Sequence, residues 1–254
     1  MKRQLVGVVW WPHSGGRWFC RTLIKPNSRI HETAFVHPWL FYTTDMTLEL
    51  DITAQVHKAR SLPELKPHLE ALKTSTDKGR EEGLKHYFNF ISEKYLGRDD
   101  QETHILGEMC LGSPIPRFMD VKALYNAYPD FKLIHLIRNP LESFNSFTSR
   151  HELDSDPVKI AGSWLSQNAA IRKFFEKNTQ FEKQYLPVIY ENLQSDSEGE
   201  LRRVCDFIGI DFENQMIESF NERWGRNTKP EISEDVRETI IEIASKDLKI
   251  YGYL

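Results

Sequence analysis

The segment over residues 5–19 constrains the fold of this chain more than any other stretch of its 254 residues. It starts with an apolar, β-branched run of strand length, stops at Pro12, and passes through Ser14, Gly15 and Gly16 into a helix-like continuation. A strand that turns directly into a helix brings unpaired backbone N–H groups to the end of a sheet, where anions bind. The pattern therefore predicts a phosphate-binding loop at the edge of an α/β sheet.

This loop differs from the loops that bind magnesium-ATP. A Walker loop has the pattern Gly-x-x-x-x-Gly-Lys-Ser/Thr, in which the lysine reaches the terminal phosphates and the hydroxyl holds magnesium. The chain has no lysine between Arg3 and Lys25. The sequence therefore favours a phosphorylated ligand other than magnesium-ATP.

A second strand-to-helix segment lies over residues 132–146. Lys132 to Ile137 predicts a buried strand, Asn139 suits a helix N-cap, and Pro140 suits the first helical position. Arg138 would then stand beside a helix N-terminus, where a planar guanidinium grips phosphate through two hydrogen bonds. Two such turns predict a ligand with phosphate at both ends, and we expect them to meet across it.

These segments resemble the phosphosulfate-binding motifs of the sulfotransferase family, whose donor is 3′-phosphoadenosine 5′-phosphosulfate (PAPS) and whose nucleotide product is adenosine 3′,5′-bisphosphate (PAP). Residues 12–18 are similar to the family's Pro-Lys/Arg-Ser-Gly-Thr-Thr-Trp loop for the 5′-phosphosulfate. Arg138 and Ser146 match the family's arginine and serine that hold the 3′-phosphate. Residues 188–193 resemble the Tyr-Glu-Asp-Leu strand, whose tyrosine contacts adenine.

The resemblance covers about Gly7 to Gly209, and a later basic loop at Arg226 is similar in position to one that lies over the 3′-phosphate. It implies no metal. It implies donor contacts from the following residues: His13, Ser14, Gly15, Gly16, Arg17, Trp18, Arg138, Ser146, Tyr190 and Arg226.

The first loop departs from the family pattern at three positions. His13 stands where the family has lysine or arginine, and the charge of an imidazole depends on pH where that of lysine does not. Gly16 and Arg17 replace two threonines, which removes hydroxyl donors but adds a cation. We expect Arg17 to take over part of the cationic role of the missing lysine.

Sulfuryl transfer needs in-line positioning, stabilisation of charge on the departing phosphate, and a base for the acceptor's proton. His13 is the candidate for charge stabilisation. Three residues are candidates for the base because each resembles the base of one branch of the family: Glu32 (tyrosylprotein), Glu108 (heparan-type) and His104 (cytosolic small-molecule). Met109 stands where the heparan-type motif has lysine. The two carboxylates rank nearly level, with His104 behind them.

Strand and helix signals alternate along the chain. They predict an α/β fold of three layers, with a mostly parallel central sheet flanked by helices. We interpret residues 1–254 as a single domain with a helical insertion over 47–101 that lines the acceptor pocket. The predicted strands cover 4–10, 104–106, 132–137 and 188–190; the predicted helices cover 17–24, 118–127, 158–176 and 198–208.

Composition argues against several other classes of protein. A net charge of −4 with interspersed acidic and basic residues is unlike a nucleic-acid-binding domain. Cys20, Cys110 and Cys205 are widely spaced and odd in number, which favours a reducing compartment over a disulfide framework. No apolar stretch reaches membrane-spanning length, so the sequence predicts a cytoplasmic protein without a membrane partner. The sequence gives no prediction of oligomeric state.

The resemblance therefore implies a PAPS-dependent sulfotransferase, and we expect it to act on a hydroxyl or amine of a small-molecule acceptor such as a metabolite or natural product. Two alternatives stay open: a catalytically inactive relative that binds the nucleotide, and a nucleotide-dependent kinase.

Overall fold

A computed structural model describes residues 5–24, 26–33, 82, 104–110, 125, 129–151, 156–223 and 232–254. The predicted insertion over 47–101 lies outside the described residues except for Glu82. The predicted helix over 118–127 lies outside them except for Tyr125.

In the described part of the chain, the centre of the fold is a parallel sheet of five strands in the order β2-β3-β1-β4-β5. The predicted parallel α/β arrangement is thus confirmed. The strands are β1 (Leu5–Trp10), β2 (Ile30–Thr33), β3 (His104–Cys110), β4 (Lys132–Ile137) and β5 (Tyr185–Ile189).

Helices connect and cover these strands. A short helix, α1 (Gly16–Trp18), continues as a π-helical turn over Phe19–Ile24, and a 3₁₀ turn over Thr179–Gln184 precedes β5. The other helices are α2 (Pro140–His151), α3 (Pro157–Lys177), α4 (Tyr190–Ser195), α5 (Ser197–Ile208), α6 (Asn214–Arg223) and α7 (Glu234–Ile250).

Two apolar clusters cover opposite faces of the sheet, which gives the three layers. On one face, Val8 and Leu136 pack with the π-helical turn, α5 and α6. On the other face, Trp11 and Ile137 pack with Trp164 of α3 and with α7. The elements that follow β1 and β4 therefore lie on opposite faces. In open α/β sheets, ligands bind outside the carboxyl ends of two such neighbouring strands.

Three elements differ from their predicted form. The helix predicted over 17–24 is mostly π-helical, and in the wider turn Ile24, five positions after Phe19 and four after Cys20, reaches the core with both. β3 runs through Glu108 to Cys110, beyond the apolar run that predicted it.

The strand predicted over 188–190 is the third difference, because it covers 185–189 and Tyr190 begins a helix. Pro187 interrupts the apolar pattern; among the described residues β5 pairs with β4 alone, and such an edge strand tolerates a proline. Tyr185 is fixed by stacking on Phe175, with ring centroids 4.0 Å apart.

His135 lies wholly buried in β4 and holds a polar network inside the sheet–helix interface. Its Nε2 lies 2.8 Å from Asn168 Oδ1, and its Nδ1 lies 2.9 Å from the Tyr185 hydroxyl. Asn168 uses its amide nitrogen to donate to the Trp164 carbonyl, so its oxygen faces the imidazole and Nε2 carries the hydrogen. The imidazole is therefore neutral, and burial lowers the pKa of His135 to about 4.

This buried imidazole predicts a loss of stability in mild acid. The unfolded chain binds a proton at His135 near its ordinary pKa of about 6.5, whereas the folded chain resists it until the pH approaches 4. We expect the free energy of unfolding to fall by about 2–3 kcal/mol between these pH values and to be unaffected by this group above pH 6.5. Urea denaturation at several pH values measures this, and His135→Gln should flatten the slope. An equal slope in both proteins would contradict the assignment.

Candidate functional site

The loop between β1 and α1 makes a tight reversal. The Ser14 N–H donates to the Trp11 carbonyl at 3.1 Å, and the Phe19 N–H donates to the Gly15 carbonyl at 2.8 Å. His13 and Gly15 both have left-handed backbones, with φ of 63° and 83°. A left-handed conformation costs a residue with a Cβ about 1 kcal/mol, so the conformation of His13 is held by its surroundings.

Glycine is required at two loop positions because aromatic rings lie against them. A Cβ at Gly15 would stand 2.4 Å from Tyr190 Cε2, and a Cβ at Gly16 would stand 1.8 Å from Trp10 Cδ2. The indole of Trp10 thus fills the volume that a threonine side chain would need. The departure from threonine at Gly16 is matched by packing within this chain.

The second loop, at the end of β4, lies directly against the first. Arg138 Nη1 donates to the His13 carbonyl at 2.9 Å, across 125 positions of sequence. The same guanidinium lies 3.4 Å from Glu142 Oε2, and its Cζ stands 4.6 Å from the centre of the Tyr190 ring. Arg138 is 8% exposed. The structure therefore brings the two predicted loops together at one edge of the sheet.

Aromatic and hydroxyl side chains complete this cluster. Tyr190, at the start of α4, contacts Trp18 edge to face with ring centroids 5.8 Å apart. The His13 Nδ1 lies 3.5 Å from Ser146 Oγ, and its ring meets the edge of Phe147 at 5.0 Å. Ser146 lies on α2, two turns after Arg138, so helical spacing brings both to the first loop.

Ser14 carries an unsatisfied hydroxyl at the centre of the first loop. Its side chain is wholly buried, and its Oγ has no hydrogen-bond partner among the described residues. A buried hydroxyl without a partner costs about 1–3 kcal/mol. A ligand oxygen beside the loop would remove that cost.

The peptide that joins Arg138 to Asn139 is held at both ends. The indole N–H of Trp164 donates to the Arg138 carbonyl at 3.0 Å, and the Asn139 N–H donates to Glu191 Oε1 at 3.0 Å. Asn139 caps α2 as predicted, since its Oδ1 accepts from the Leu141 N–H at 2.9 Å. The sequence placed Trp164 only within the predicted helix over 158–176 and Glu191 only within the motif over 188–193. The only local signal for Glu191 is its place next to Tyr190 in the motif.

The candidate bases lie on the two strands of the other half of the sheet, and the described part of the structure does not include their side chains. Glu108 pairs with Val8 of β1, two residues before β3 ends. Glu32 pairs with Leu106, and His104 is the first residue of β3. In their backbone positions, Glu108 therefore lies nearest the level at which β1 enters the loop, and His104 lies farthest from it.

Two remaining predicted residues differ in how they can be placed. Arg17 is exposed on α1, next to the loop. Arg226 lies outside the described residues. Within the described ranges, no group of three or more His, Cys, Asp or Glu side chains is arranged to hold a metal ion. In the same ranges, no helix combines the length and apolar character needed to cross a bilayer.

Comparisons with known proteins agree on one family. The model of the sulfotransferase family matches residues 13–214. Sulfotransferase 2A2 of Rattus norvegicus is 29% identical over 121 residues, a match that covers 43% of this chain and 42% of that protein's length.

Solved structures show the same fold. The sulfotransferase domain of the Synechococcus PCC 7002 olefin synthase aligns with a TM-score of 0.57 at 18% identity, over 97% of this chain and 96% of that one. Mouse sulfotransferase SULT7A1, solved complexed with PAP, aligns with a TM-score of 0.50 at 12% identity, over 98% of this chain and 85% of that one.

Proposed function

Because this chain belongs to the sulfotransferase family, we propose that it transfers a sulfuryl group from PAPS to a hydroxyl or amine of a small-molecule acceptor. The observation that carries the proposal is the contact between the two loops, in which Arg138 of one donates to the His13 carbonyl of the other. A nucleotide with phosphate at both ends requires two adjoining anion sites. The PAP bound to the mouse relative supports the same ligand class.

The chain's own residues suit the two ends of such a nucleotide. The Ser14 hydroxyl and the backbone of residues 14–18 would hold the 5′ end of the nucleotide. The Ser14 hydroxyl is buried and has no hydrogen-bond partner among the described residues, so a phosphate oxygen would satisfy it. Arg138 and Ser146 would hold the 3′-phosphate, because a guanidinium at a helix start favours a dianion. Trp18 and Tyr190 supply aromatic surface between them for adenine.

The donor supplies an activated sulfuryl group. In the transfer, a bond forms between the acceptor oxygen or nitrogen and sulfur, and the bond from sulfur to the 5′-phosphate oxygen breaks, leaving its electron pair on the phosphate. His13 is suited to stabilise that negative charge when it is protonated or donates an N–H. The acceptor's proton goes to a base. Among the three candidates we favour Glu108, because its backbone lies closest to the loop.

The acceptor pocket belongs to the proposal as well. β2 ends at Thr33, at the edge of the sheet where the loops lie, and the segment over 47–101 follows it in the sequence before β3. We assign acceptor binding to that segment. A cytoplasmic location is also part of the proposal, and it is supported by the wide spacing and odd number of the three cysteines.

The proposal is tested by incubating the purified protein with ³⁵S-labelled PAPS and a panel of phenols, alcohols and amines, and by titrating PAP calorimetrically. PAP binding together with labelled product supports it. PAP binding without product across the panel would support the inactive relative, an alternative kept open by the changed loop residues His13, Gly16 and Arg17. Binding of magnesium-ATP in preference to PAP would overturn the proposal in favour of a kinase.

The replacement of the loop lysine gives a prediction for Arg17. Arg17→Ala should weaken PAPS binding by about 10–30-fold, because Arg17 is exposed and its bond to phosphate falls at the lower end of the roughly 1.5–3 kcal/mol of a charge-assisted hydrogen bond. His13→Ala should weaken it less than fivefold, because the Phe147 ring edge and the Ser146 hydroxyl already engage the imidazole. Equilibrium dialysis with labelled PAPS measures both.

Arg21→Ala is the matched control for Arg17, because Arg21 is also exposed and lies one turn further along the same segment. Its affinity for PAPS should stay near that of the wild type. Near-normal affinity in Arg17→Ala would return the cationic role to His13.

A further inference from the structure

The end of the chain reaches the Arg138 loop. After α7, the Tyr253 N–H donates to the Leu248 carbonyl at 2.8 Å, which folds the last residues back along the helix. The Tyr253 hydroxyl then donates to Glu191 Oε2 at 2.7 Å and lies 3.5 Å from the Ile137 carbonyl. A residue of the C-terminal turn is thus bonded to the carboxylate that stands behind the loop.

The two carboxylate oxygens of Glu191 accept hydrogen bonds from different residues. Oε2 accepts from Tyr253, and Oε1 accepts from the Asn139 N–H. Burial and the nearby Glu191 carboxylate raise the pKa of Tyr253, so its hydroxyl keeps its proton and acts as the donor. The hydroxyl therefore fixes the rotation of the carboxylate and, through it, the direction of the Asn139 N–H.

That N–H and the Arg138 carbonyl belong to one planar peptide unit. The carbonyl end is held by the Trp164 indole from α3, and the N–H end by Glu191 from α4. Rotation of this peptide would turn the Arg138 Cα and carry the guanidinium away from the His13 carbonyl and the Tyr190 ring. Binding groups must be held within about 0.5 Å of their productive geometry, and supporting hydrogen bonds provide this.

We infer that Tyr253 is a positioning residue for the 3′-phosphate site: its hydroxyl orients Glu191, which fixes the 138–139 peptide and thereby Arg138. The inference rests on the proposed function, since it takes the ligand of Arg138 to be the 3′-phosphate of the nucleotide. The acting chain is Tyr253 to Glu191 to Asn139 to Arg138.

The experiment compares wild type, Tyr253→Phe and the control Tyr251→Phe. Both tyrosine rings pack into the same apolar cluster with Trp11 and Trp164, and phenylalanine keeps that packing. The Tyr251 hydroxyl, however, lies in the field of Asp247 and Arg172 and not at the loop. A difference between the two variants therefore reports on the bond to Glu191.

Two readouts are taken from each protein. The first is calorimetric affinity for PAP and for adenosine 5′-phosphate, which lacks the 3′-phosphate. We expect Tyr253→Phe to weaken PAP binding by about five- to tenfold, less than the loss of a direct hydrogen bond to phosphate because Tyr253 acts through Glu191, and to leave adenosine 5′-phosphate unchanged. The second readout is hydrogen exchange of the Asn139 amide without ligand, which should become about tenfold faster.

Each outcome decides something. Unchanged PAP affinity in Tyr253→Phe overturns the inference, whether or not the Asn139 amide exchanges faster. Equal losses in Tyr253→Phe and Tyr251→Phe also overturn it, since they would show general loosening of the C-terminal turn. If the wild type does not bind PAP, the proposed function fails instead, and the exchange rate alone still decides whether Tyr253 fixes the 138–139 peptide.

In turnover assays with a working acceptor, the positioning role predicts a rise in the KM for PAPS with kcat unchanged, because the 3′-phosphate takes no part in the transfer. A fall in kcat without a change in KM would contradict it.

Discussion

Arg138→Ala is expected to weaken PAP binding by about 100-fold, because a bidentate guanidinium–phosphate pair supplies roughly 3 kcal/mol in a partly buried site. The side chain is 8% exposed and is already oriented by the His13 carbonyl, the Tyr190 ring and Glu142. Little conformational freedom is therefore lost when the ligand binds. Arg138→Lys should recover less than half of the lost binding free energy, since an ammonium group lacks the planar pair of donors.

A ligand that lacks one phosphate separates direct contact from general damage. If Arg138 binds the 3′-phosphate, removing either the arginine or that phosphate removes the same interaction. Arg138→Ala should therefore bind adenosine 5′-phosphate as well as the wild type does. Equal weakening toward both nucleotides would contradict the assignment.

Arg202 offers a control with similar local partners. Its guanidinium stacks on Phe212 at 4.2 Å and pairs with Glu198 four positions earlier, but it lies on α5, away from the loops. Arg202→Ala should leave the affinity for PAP unchanged.

Gly16→Ala is expected to lower the free energy of unfolding by about 4 kcal/mol, at the upper end of what overpacking produces. The added Cβ would stand 1.8 Å from Trp10 Cδ2, and the Trp10 indole is buried in the core that joins the sheet to α5 and α6. Trp10 is only 4% exposed, so a shift of the ring would disturb the core around it. Urea denaturation followed by tryptophan fluorescence measures the change.

Gly162→Ala is the matched control. Gly162 lies in the middle of α3, where an added Cβ would meet no atom within 4 Å. Because alanine is the better helix former, this change should raise stability by about 0.5–1 kcal/mol. Similar denaturation midpoints for the two variants would show that the space at Gly16 is wider than the structure indicates.

The sequence predicted the parts of the site that depend on local order. A strand, a helix breaker and a helix start each have a signal within a few residues of sequence. These local patterns were enough to predict both loops, the Asn139 cap and the parallel sheet. The secondary structure at Tyr190 was harder to predict. Its apolar neighbours predicted a strand, whereas the structure begins a helix at this residue.

The supporting contacts could not be predicted because they join distant parts of the chain. Trp164 lies 26 positions from Arg138, and Tyr253 lies 62 positions from Glu191. No periodicity or motif connects such residues, and each has an ordinary explanation on its own as a core aromatic, a surface acid or a terminal residue. The roles of Glu32, Glu108 and His104 stay predictions.

The contact between Trp10 and Gly16 means that these two positions share one volume. A change of Gly16 to threonine, the residue of related loops, would require that Trp10 first be replaced by a smaller residue. The substitutions would then be tolerated only in that order, because the reverse order passes through an overfilled intermediate. We therefore expect the residues at position 16 of the loop and position 10 of the core to change together.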